Sequence, residues 1–195
     1  PPGPGDESIS IGSTFLEYIK NGGEIKNISN NHHAYISPGF SKKDVEDAIS
    51  KFDSSKYLIK TVSNKYIANL LAEGHIVARF AIDSSEFGAR ALGNRSILAD
   101  PRNQETITHI NKLVKMRDFW MPFTPSILSE DMNLYVINSE SIFAPYMCVT
   151  FNSTELAQKH LKAALHPRDK TIRPQEVVKE WNPDYYDLIF KFKEM

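Results

Sequence analysis

Apolar positions three and four residues apart predict helices in the first 75 residues. The segment ESISIGSTFLEYIKNGG carries a short apolar stripe and ends in a glycine pair, which predicts the end of its helix. Ser41 and Asp44 have the spacing of a capping pattern that begins a second helix. A third helix is predicted from about Asn64 to Glu73, with a glycine after it. The polar, asparagine-rich segment EIKNISNNHHAYISPG is interpreted as a linker.

Short apolar runs follow after residue 75 and predict strands. HIVARFAI is interpreted as a buried strand, and FTPSIL, YMCVTF and TIRPQEVV as strand-like segments. NQETITHINKLV between them has a helical pattern. In the closing segment NPDYYDLIFKFKEM, Asn182 can cap a helix and Pro183 can occupy its first turn. This order predicts an α/β fold with a mixed sheet, in one domain from about residue 36 onward.

Composition narrows the class of protein. The 195 residues are 41% hydrophobic and 24% charged with a net charge of −1, which is typical of a globular chain. No apolar run is long enough to span a membrane and no signal peptide is visible, so a cytoplasmic location is expected. Cys148 is expected as a small buried hydrophobe, and the pair His32-His33 in a surface loop rather than a metal site.

One segment stands out in this near-neutral chain, SEFGARALGNRSILADPR. Between residues 90 and 117 two acidic residues oppose six cations: Arg90, Arg95, Arg102, Lys112, Lys115 and Arg117. The planar guanidinium group suits phosphate oxygens, and glycines let the backbone approach a ligand closely. The alternative is that the arginines form structural ion pairs. That alternative is preferred for Arg102, next to Asp100, whereas anion binding is preferred for Arg90 and Arg95.

Three motifs in order resemble a known family. EFGARALGNRSILADPR resembles a signature of the C-terminal domain of O-carbamoyltransferases, the group of nodulation and antibiotic-tailoring enzymes. NKLVKMRDFWMPFTPSIL and AALHPRDKTIRPQEV resemble two later motifs of that domain, so the likeness covers about a hundred residues. PGDESISIGS is similar to the segment that closes the family's N-terminal catalytic domain, of the sugar-kinase and actin-like class. Asp6 would match a metal ligand of that domain.

The resemblance implies a fold and a domain division. The fold would be YrdC-like (threonylcarbamoyl-AMP-synthase-like), a twisted mixed sheet with flanking helices. Residues 1–35 would be a remnant of the upstream domain and a linker, and residues 36–195 the C-terminal domain. Helix 1 would then lack its partner, leaving Phe15, Leu16 and Ile19 incompletely packed unless a homodimer covers them.

The resemblance also implies a reaction. Carbamoyl phosphate and ATP, with Mg²⁺, would form carbamoyl adenylate, and the N-terminal domain would pass the carbamoyl group to an acceptor hydroxyl. Fe²⁺ or a similar metal would belong only to that upstream domain, and no metal site is assigned to this chain. The alternative is a module of the same fold that binds a nucleotide or another anion and catalyses no reaction. Nucleic acid is disfavoured as a partner because the net charge of the chain is close to zero.

Site residues follow from the matched motifs. Lys115 and Arg117 would be the catalytic pair, side by side on one face of an extended segment and across a cleft from residues 86–96. Glu86 would orient a loop arginine, which is preferred, or help hold magnesium. The other residues expected to contact the nucleotide are Arg90, Asn94, Arg95, Ser96, His166 and Arg173. For the last two, a structural hydrogen-bond cluster is the equal alternative.

Overall fold

The computed structural model describes residues 3, 5–28, 33–53, 55–112, 116, 118 and 121–195, and its fold is mixed α/β. The helices are α1 (Glu7–Lys20), α2 (Lys42–Ile49), α3 (Asn64–Ala72), α4 (Glu105–Ile110), α5 (Met132–Tyr135), α6 (Glu155–His160) and α7 (Pro183–Lys193). The strands are β1 (Val77–Phe80), β2 (Arg95–Leu98), β3 (Ser126–Leu128), β4 (Val136–Ile137), β5 (Asn152–Ser153) and β6 (Gln175–Val177). The predicted α/β class is confirmed.

The strands pair in twos. β1 runs antiparallel to β2, β4 runs antiparallel to β5, and β3 runs parallel to β6. Both pairing directions are therefore present, but within the described ranges they form separate two-stranded sheets rather than one twisted sheet. Strands of two to four residues offer few backbone groups, which limits how far a ladder can extend to a third strand.

Helix boundaries agree with the local signals in the sequence. The backbone of Gly22 and Gly74 has positive φ just after α1 and α3, the conformation that stops a helix and that glycine adopts readily. Ser41 and Asp44 form a reciprocal capping box at α2. The Asn182 side chain accepts a hydrogen bond from the Tyr185 N–H, with proline in the first turn of α7.

The strand predicted in HIVARFAI is confirmed at residues 77–80, but its predicted burial is wrong. Its positions alternate between half-buried and exposed because successive side chains point to opposite faces of the β1–β2 pair. YMCVTF does not form a strand; Phe151 at its end makes an isolated β-bridge to Ile172, and β5 begins after it at Asn152. Cys148 is exposed rather than buried, and its thiol donates to the Tyr146 carbonyl oxygen.

Two clusters of buried side chains form most of the interior. In one, α3 packs against α7 and β6 through Ala68, Leu71, Val177, Tyr185 and Leu188. The other gathers residues from β3, α5, β4 and α6, including Ile127, Val136 and Phe151. The β3–β6 pair lies between them and connects the two clusters.

The first helices contribute little to this interior. Neither α1 nor α2 has a buried residue, and the α1 stripe is open to solvent: Phe15 is 41% exposed, Leu16 54% and Ile19 40%. The predicted incomplete packing of that stripe is confirmed. In the part of the chain that the structure describes, no helix has both the length and the apolar character needed to cross a membrane.

Candidate anion-binding loop

The long connection between β1 and β2, residues 81–94, folds around a single carboxylate. Glu86 is 3% exposed, and its Oε1 accepts hydrogen bonds from the backbone N–H groups of Leu92 at 2.7 Å, Asn94 at 2.8 Å and Arg95 at 3.1 Å. Its Oε2 accepts from Nε of Arg95 at 3.1 Å. We call residues 81–94 the Glu86 loop, because this side chain sets its shape.

Glu86 is an anion in this setting. Burial raises the pKa of Glu86, but the hydrogen bonds from its own backbone N–H, from those of Arg95 and Leu92, and from the Arg95 side chain outweigh burial and hold the pKa below its ordinary value. The ionised carboxylate contacts Arg95, which is the contact that the preferred interpretation of Glu86 requires. Its role toward a ligand or magnesium stays a prediction.

The two loop arginines are used differently. The Arg95 guanidinium, besides contacting the Glu86 carboxylate, donates to the carbonyl oxygens of Glu86 at 2.7 Å and Gly88 at 3.2 Å. Arg90 is exposed, and its side chain makes no hydrogen bond or ion pair with the residues that the structure describes. Arg90 is therefore the arginine of this loop whose guanidinium is open to an external anion, whereas Arg95 already supports the backbone.

Asn94 and Ser96, which were expected to contact the nucleotide, lie inside the loop base. The Asn94 amide donates to the Ser84 carbonyl oxygen at 2.6 Å, and the Ser96 hydroxyl accepts from the Gly93 N–H at 2.8 Å. Both residues are buried. Arg95 and Ser96 also belong to β2, so the loop ends at Asn94 rather than at residue 96. Contact of either side chain with a ligand stays a prediction.

Arg79 was not anticipated as part of this site. Its guanidinium donates to the Gly93 carbonyl oxygen at 2.6 Å, to Oδ1 of Asn94 at 2.7 Å and to Oδ2 of Asp184 at 2.6 Å. It thereby ties β1 and the loop base to the first turn of α7. The signal in the sequence was a single charged residue in the apolar run HIVARFAI, which is unusual in a strand unless the charge is paired.

The end of the loop is held from two further directions. The carbonyl oxygen of Leu92 accepts from the Tyr35 hydroxyl at 2.6 Å and from Nε2 of Gln175 at 2.7 Å. Gly93 has φ of +114°, and a Cβ there would lie 2.5 Å from the Tyr185 ring, so only glycine fits without displacement. Burial raises the pKa of Tyr185 to about 12, which keeps its hydroxyl neutral for the 2.7 Å contact with Ser126.

A cleft of about 530 Å³ opens beside the loop base. Strand β1, residues 81–84 and the start of α7 form its walls. Its polar lining consists of Tyr35, Asn64, Arg79, Asp83, Ser84, Asn94, Trp181, Asn182 and Asp184. The volume suits a small organic molecule, and the side chains that Arg79 contacts are part of the wall.

The remaining predicted residues divide into two sets. Lys115 and Arg117, the predicted catalytic pair, lie outside the described residues. His166 contacts Asp169 through Nδ1 at 2.9 Å, and that carboxylate also accepts from Thr171, which is the hydrogen-bond cluster of the structural alternative. Arg173 is exposed and, within the described ranges, has no hydrogen bond or ion pair.

The interpretation of Arg102 as a structural cation is confirmed. Its Nε donates to both oxygens of Asp100, at 3.0 Å and 2.8 Å, and its backbone N–H donates to the same carboxylate at 2.8 Å. The hydrogen bond to Asp100 raises the pKa of Arg102 further. Arg102, like Arg95 with Glu86, therefore already has an anionic partner within the chain.

Comparison with known proteins locates these residues in a family. Residues 68–195 match the family described as Carbamoyltransferase C-terminus. The match begins in α3 and includes β1, the whole Glu86 loop and α7.

Curated relatives show the same likeness. An uncharacterized protein of Methanocaldococcus jannaschii is 35% identical over 198 residues, covering 100% of this chain and 32% of its own length. Nodulation protein NolO of Bradyrhizobium diazoefficiens is 40% identical over 128 residues, 65% of this chain and 23% of its own. The 3'-hydroxymethylcephem-O-carbamoyltransferase of Amycolatopsis lactamdurans is 29% identical over 140 residues, 72% of this chain and 26% of its own. The chain thus spans about a third or less of the length of these relatives.

Proposed function

The chain belongs to the Carbamoyltransferase C-terminus family, and on that premise we propose that it is the part of a carbamoyltransferase that binds ATP and carbamoyl phosphate and forms carbamoyl adenylate. Within the family match, the observation that carries the proposal is the Glu86 loop, whose base is hydrogen-bonded to Glu86 and whose Arg90 has no partner among the described residues. The related cephem enzyme is named for carbamoyl transfer to a hydroxyl oxygen. We propose an acceptor hydroxyl here as well.

The proposed formation of carbamoyl adenylate has two steps. Hydrolysis of carbamoyl phosphate releases phosphate and leaves carbamate. A carbamate oxygen then attacks the α-phosphorus of ATP, the P–O bond to the β-phosphate breaks, and pyrophosphate leaves. Negative charge accumulates on phosphate oxygens in both steps, so preorganised cations supply the main stabilisation.

Each candidate cation has a proposed position in this scheme. Arg90 contacts the phosphates of ATP, because its guanidinium is exposed and its backbone is set by the Glu86 loop. Lys115 and Arg117 bind carbamoyl phosphate and the adenylate, as the resemblance implies. The described residues contain no group of three or more metal-ligating side chains. We propose that Mg²⁺ is held by the ATP phosphates and water, as is usual for nucleotides, with Glu86 as the alternative protein contact.

The fold assignment is part of the same proposal. A YrdC-like domain would place the Glu86 loop and the segment around Lys115 on two sides of one cleft. The cleft of about 530 Å³ at the loop base supports a ligand site on that side of the Glu86 loop. We propose further that carbamoyl adenylate reaches a partner domain of the sugar-kinase and actin-like class, where the acceptor hydroxyl attacks the carbamoyl carbon, loses its proton and displaces AMP.

Pyrophosphate release tests the function. We expect the full-length protein to release pyrophosphate when given ATP, Mg²⁺ and carbamoyl phosphate, and Lys115→Ala or Arg117→Ala to lower the rate at least about tenfold, the equivalent of one lost charge-assisted hydrogen bond. Lys162→Ala removes an exposed cation of a short helical turn outside the site and serves as the matched control.

Two results would contradict the proposal in different ways. Equal rates for the wild type and both variants would remove Lys115 and Arg117 from the site. A wild-type protein that binds ATP in calorimetry and releases no pyrophosphate would favour the binding module without chemistry.

A further inference from the structure

The first turn of α1 lies against the Glu86 loop. Oε1 of Glu7 accepts a hydrogen bond from the Ala89 N–H at 3.1 Å. Two glycines allow this approach, since a Cβ on Gly88 would lie 3.0 Å from the Cα of Gly3 and 3.1 Å from the Glu7 carboxylate. The Ser8 hydroxyl, one residue further along α1, donates to the Gly3 carbonyl oxygen and closes the turn.

This contact joins segments more than eighty residues apart at the point where the loop would meet its anion. Ala89 directly precedes Arg90, whose side chain is exposed and unpaired among the described residues. The other loop contacts that we have described fix residues 92–95 from the inside. The Glu7 carboxylate holds a backbone N–H on the outer turn of the loop, from the solvent side.

The positive charge of Arg90 acts on the same Glu7 carboxylate. Hydrogen bonds from the Glu7 backbone N–H and from the Ala89 N–H, together with the Arg90 charge, lower the pKa of Glu7. The side chain is therefore ionised at neutral pH. The Arg90 charge contributes to this shift, yet among the described residues the Arg90 guanidinium forms no ion pair, so it stays available to an external anion.

We propose that Glu7 is a positioning residue for Arg90. By fixing the Ala89 N–H, it sets the backbone from which Arg90 reaches a phosphate oxygen. The inference rests on the proposed function for the identity of the anion, ATP. It adds a residue of α1, outside the family match at 68–195, to the anion site.

Affinity for ATP in the full-length protein tests this role, measured by calorimetry with Mg²⁺ present. We expect Glu7→Ala to raise the dissociation constant about fivefold, because a hydrogen bond of ordinary strength is lost from the loop that carries Arg90. Glu7→Gln retains an acceptor oxygen and should stay within about twofold of the wild type. Glu17→Ala is the matched control, since Glu17 lies on the same helix, contacts Asn21 and should leave the affinity unchanged.

A double-mutant cycle separates positioning from general support of the fold. In an Arg90→Ala background the Glu7→Ala change should weaken ATP binding no further, because the residue that Glu7 positions is already absent. A full fivefold loss in that background would overturn the proposal, as would wild-type affinity in Glu7→Ala alone. Calorimetry reads these outcomes whether or not pyrophosphate is released. If the wild-type protein binds ATP but releases no pyrophosphate, the proposed function is contradicted, and the role of Glu7 is still decided by the affinities of the variants. If the wild-type protein does not bind ATP, both proposals are overturned.

Discussion

The described residues before α3 and those from α3 onward use similar helical patterns with opposite results. Before α3, only Gly3 and Ala34 are buried, although α1 carries an apolar stripe and α2 a complete capping box. From α3 onward, helix α7 with a comparable cap buries Tyr185 and Leu188 against α3. The family match begins at residue 68, at the start of this packed region.

An amphipathic pattern predicts a helix, but it does not predict which element packs against the apolar face of that helix. In α7 the apolar face meets α3, whereas in α1 it faces solvent and only the first turn touches the Glu86 loop. The helix signal is local, but burial requires a second element at the right place. Three experiments test this difference between the two regions.

The largest effect is expected at Glu86, where the packed region buries a charge. Glu86→Gln should lower the free energy of unfolding by about 3 kcal/mol, because the change leaves Arg95 and three loop N–H groups without their anion. Urea unfolding at neutral pH measures the loss. Glu73→Gln, at an exposed carboxylate with only a 3.9 Å contact to His75, is the control and should change stability by less than about 0.5 kcal/mol.

Acidification provides the second half of this test. The pKa of Glu86 is depressed in the folded state, so its stabilising effect is present above its ordinary pKa of 4.5 and is lost as the pH falls through the folded value. The difference between the wild type and Glu86→Gln should therefore shrink in acid. A difference that stays constant down to pH 3 would show that Glu86 acts through shape and not charge.

Truncation of one leucine in each region compares their apolar faces directly. Leu188 is 2% exposed in α7 and Leu16 is 54% exposed in α1. Leu188→Ala should destabilise the protein by about 2–3 kcal/mol through lost burial and a cavity, and Leu16→Ala by less than about 0.5 kcal/mol. Thermal and urea unfolding give both values. A large loss for Leu16→Ala would show that α1 is covered in solution, by a second copy or another domain.

The smallest effect compares two helix caps of the same kind. Asn182 caps α7 and also donates to Asn94 at 2.8 Å, so Asn182→Ala should cost about 2 kcal/mol. Ser41→Ala removes the cap of α2, which has no buried face, and should lower global stability by less than about 0.5 kcal/mol because α2 can open locally. Hydrogen exchange should instead show faster opening of α2 alone. Equal global losses would mean that α2 unfolds together with the core.

Features that depend on neighbouring residues could be predicted from the sequence. The ends of α1 and α3 follow from glycines that adopt positive φ, and the starts of α2 and α7 follow from Ser41 and Asn182. The pairing of Arg102 with Asp100 two residues away is equally local. The motif EFGARALGNRSILADPR identified the family for the same reason, since its residues are contiguous.

Features that depend on residues far apart in the chain could not be predicted and became visible in the folded protein. In the folded protein the strand in HIVARFAI is partly exposed and Cys148 is exposed to solvent. The strands form separate pairs instead of the predicted mixed sheet. The tertiary structure also separated Arg95, which supports the loop, from Arg90, which stays unpaired in the described part of the chain. Arg79 entered the site because α7 brings Asp184 to it from more than a hundred residues away. The sequence shows how many charged residues a segment has. It does not show which of them are paired, because the pairing contacts form only when the whole chain folds.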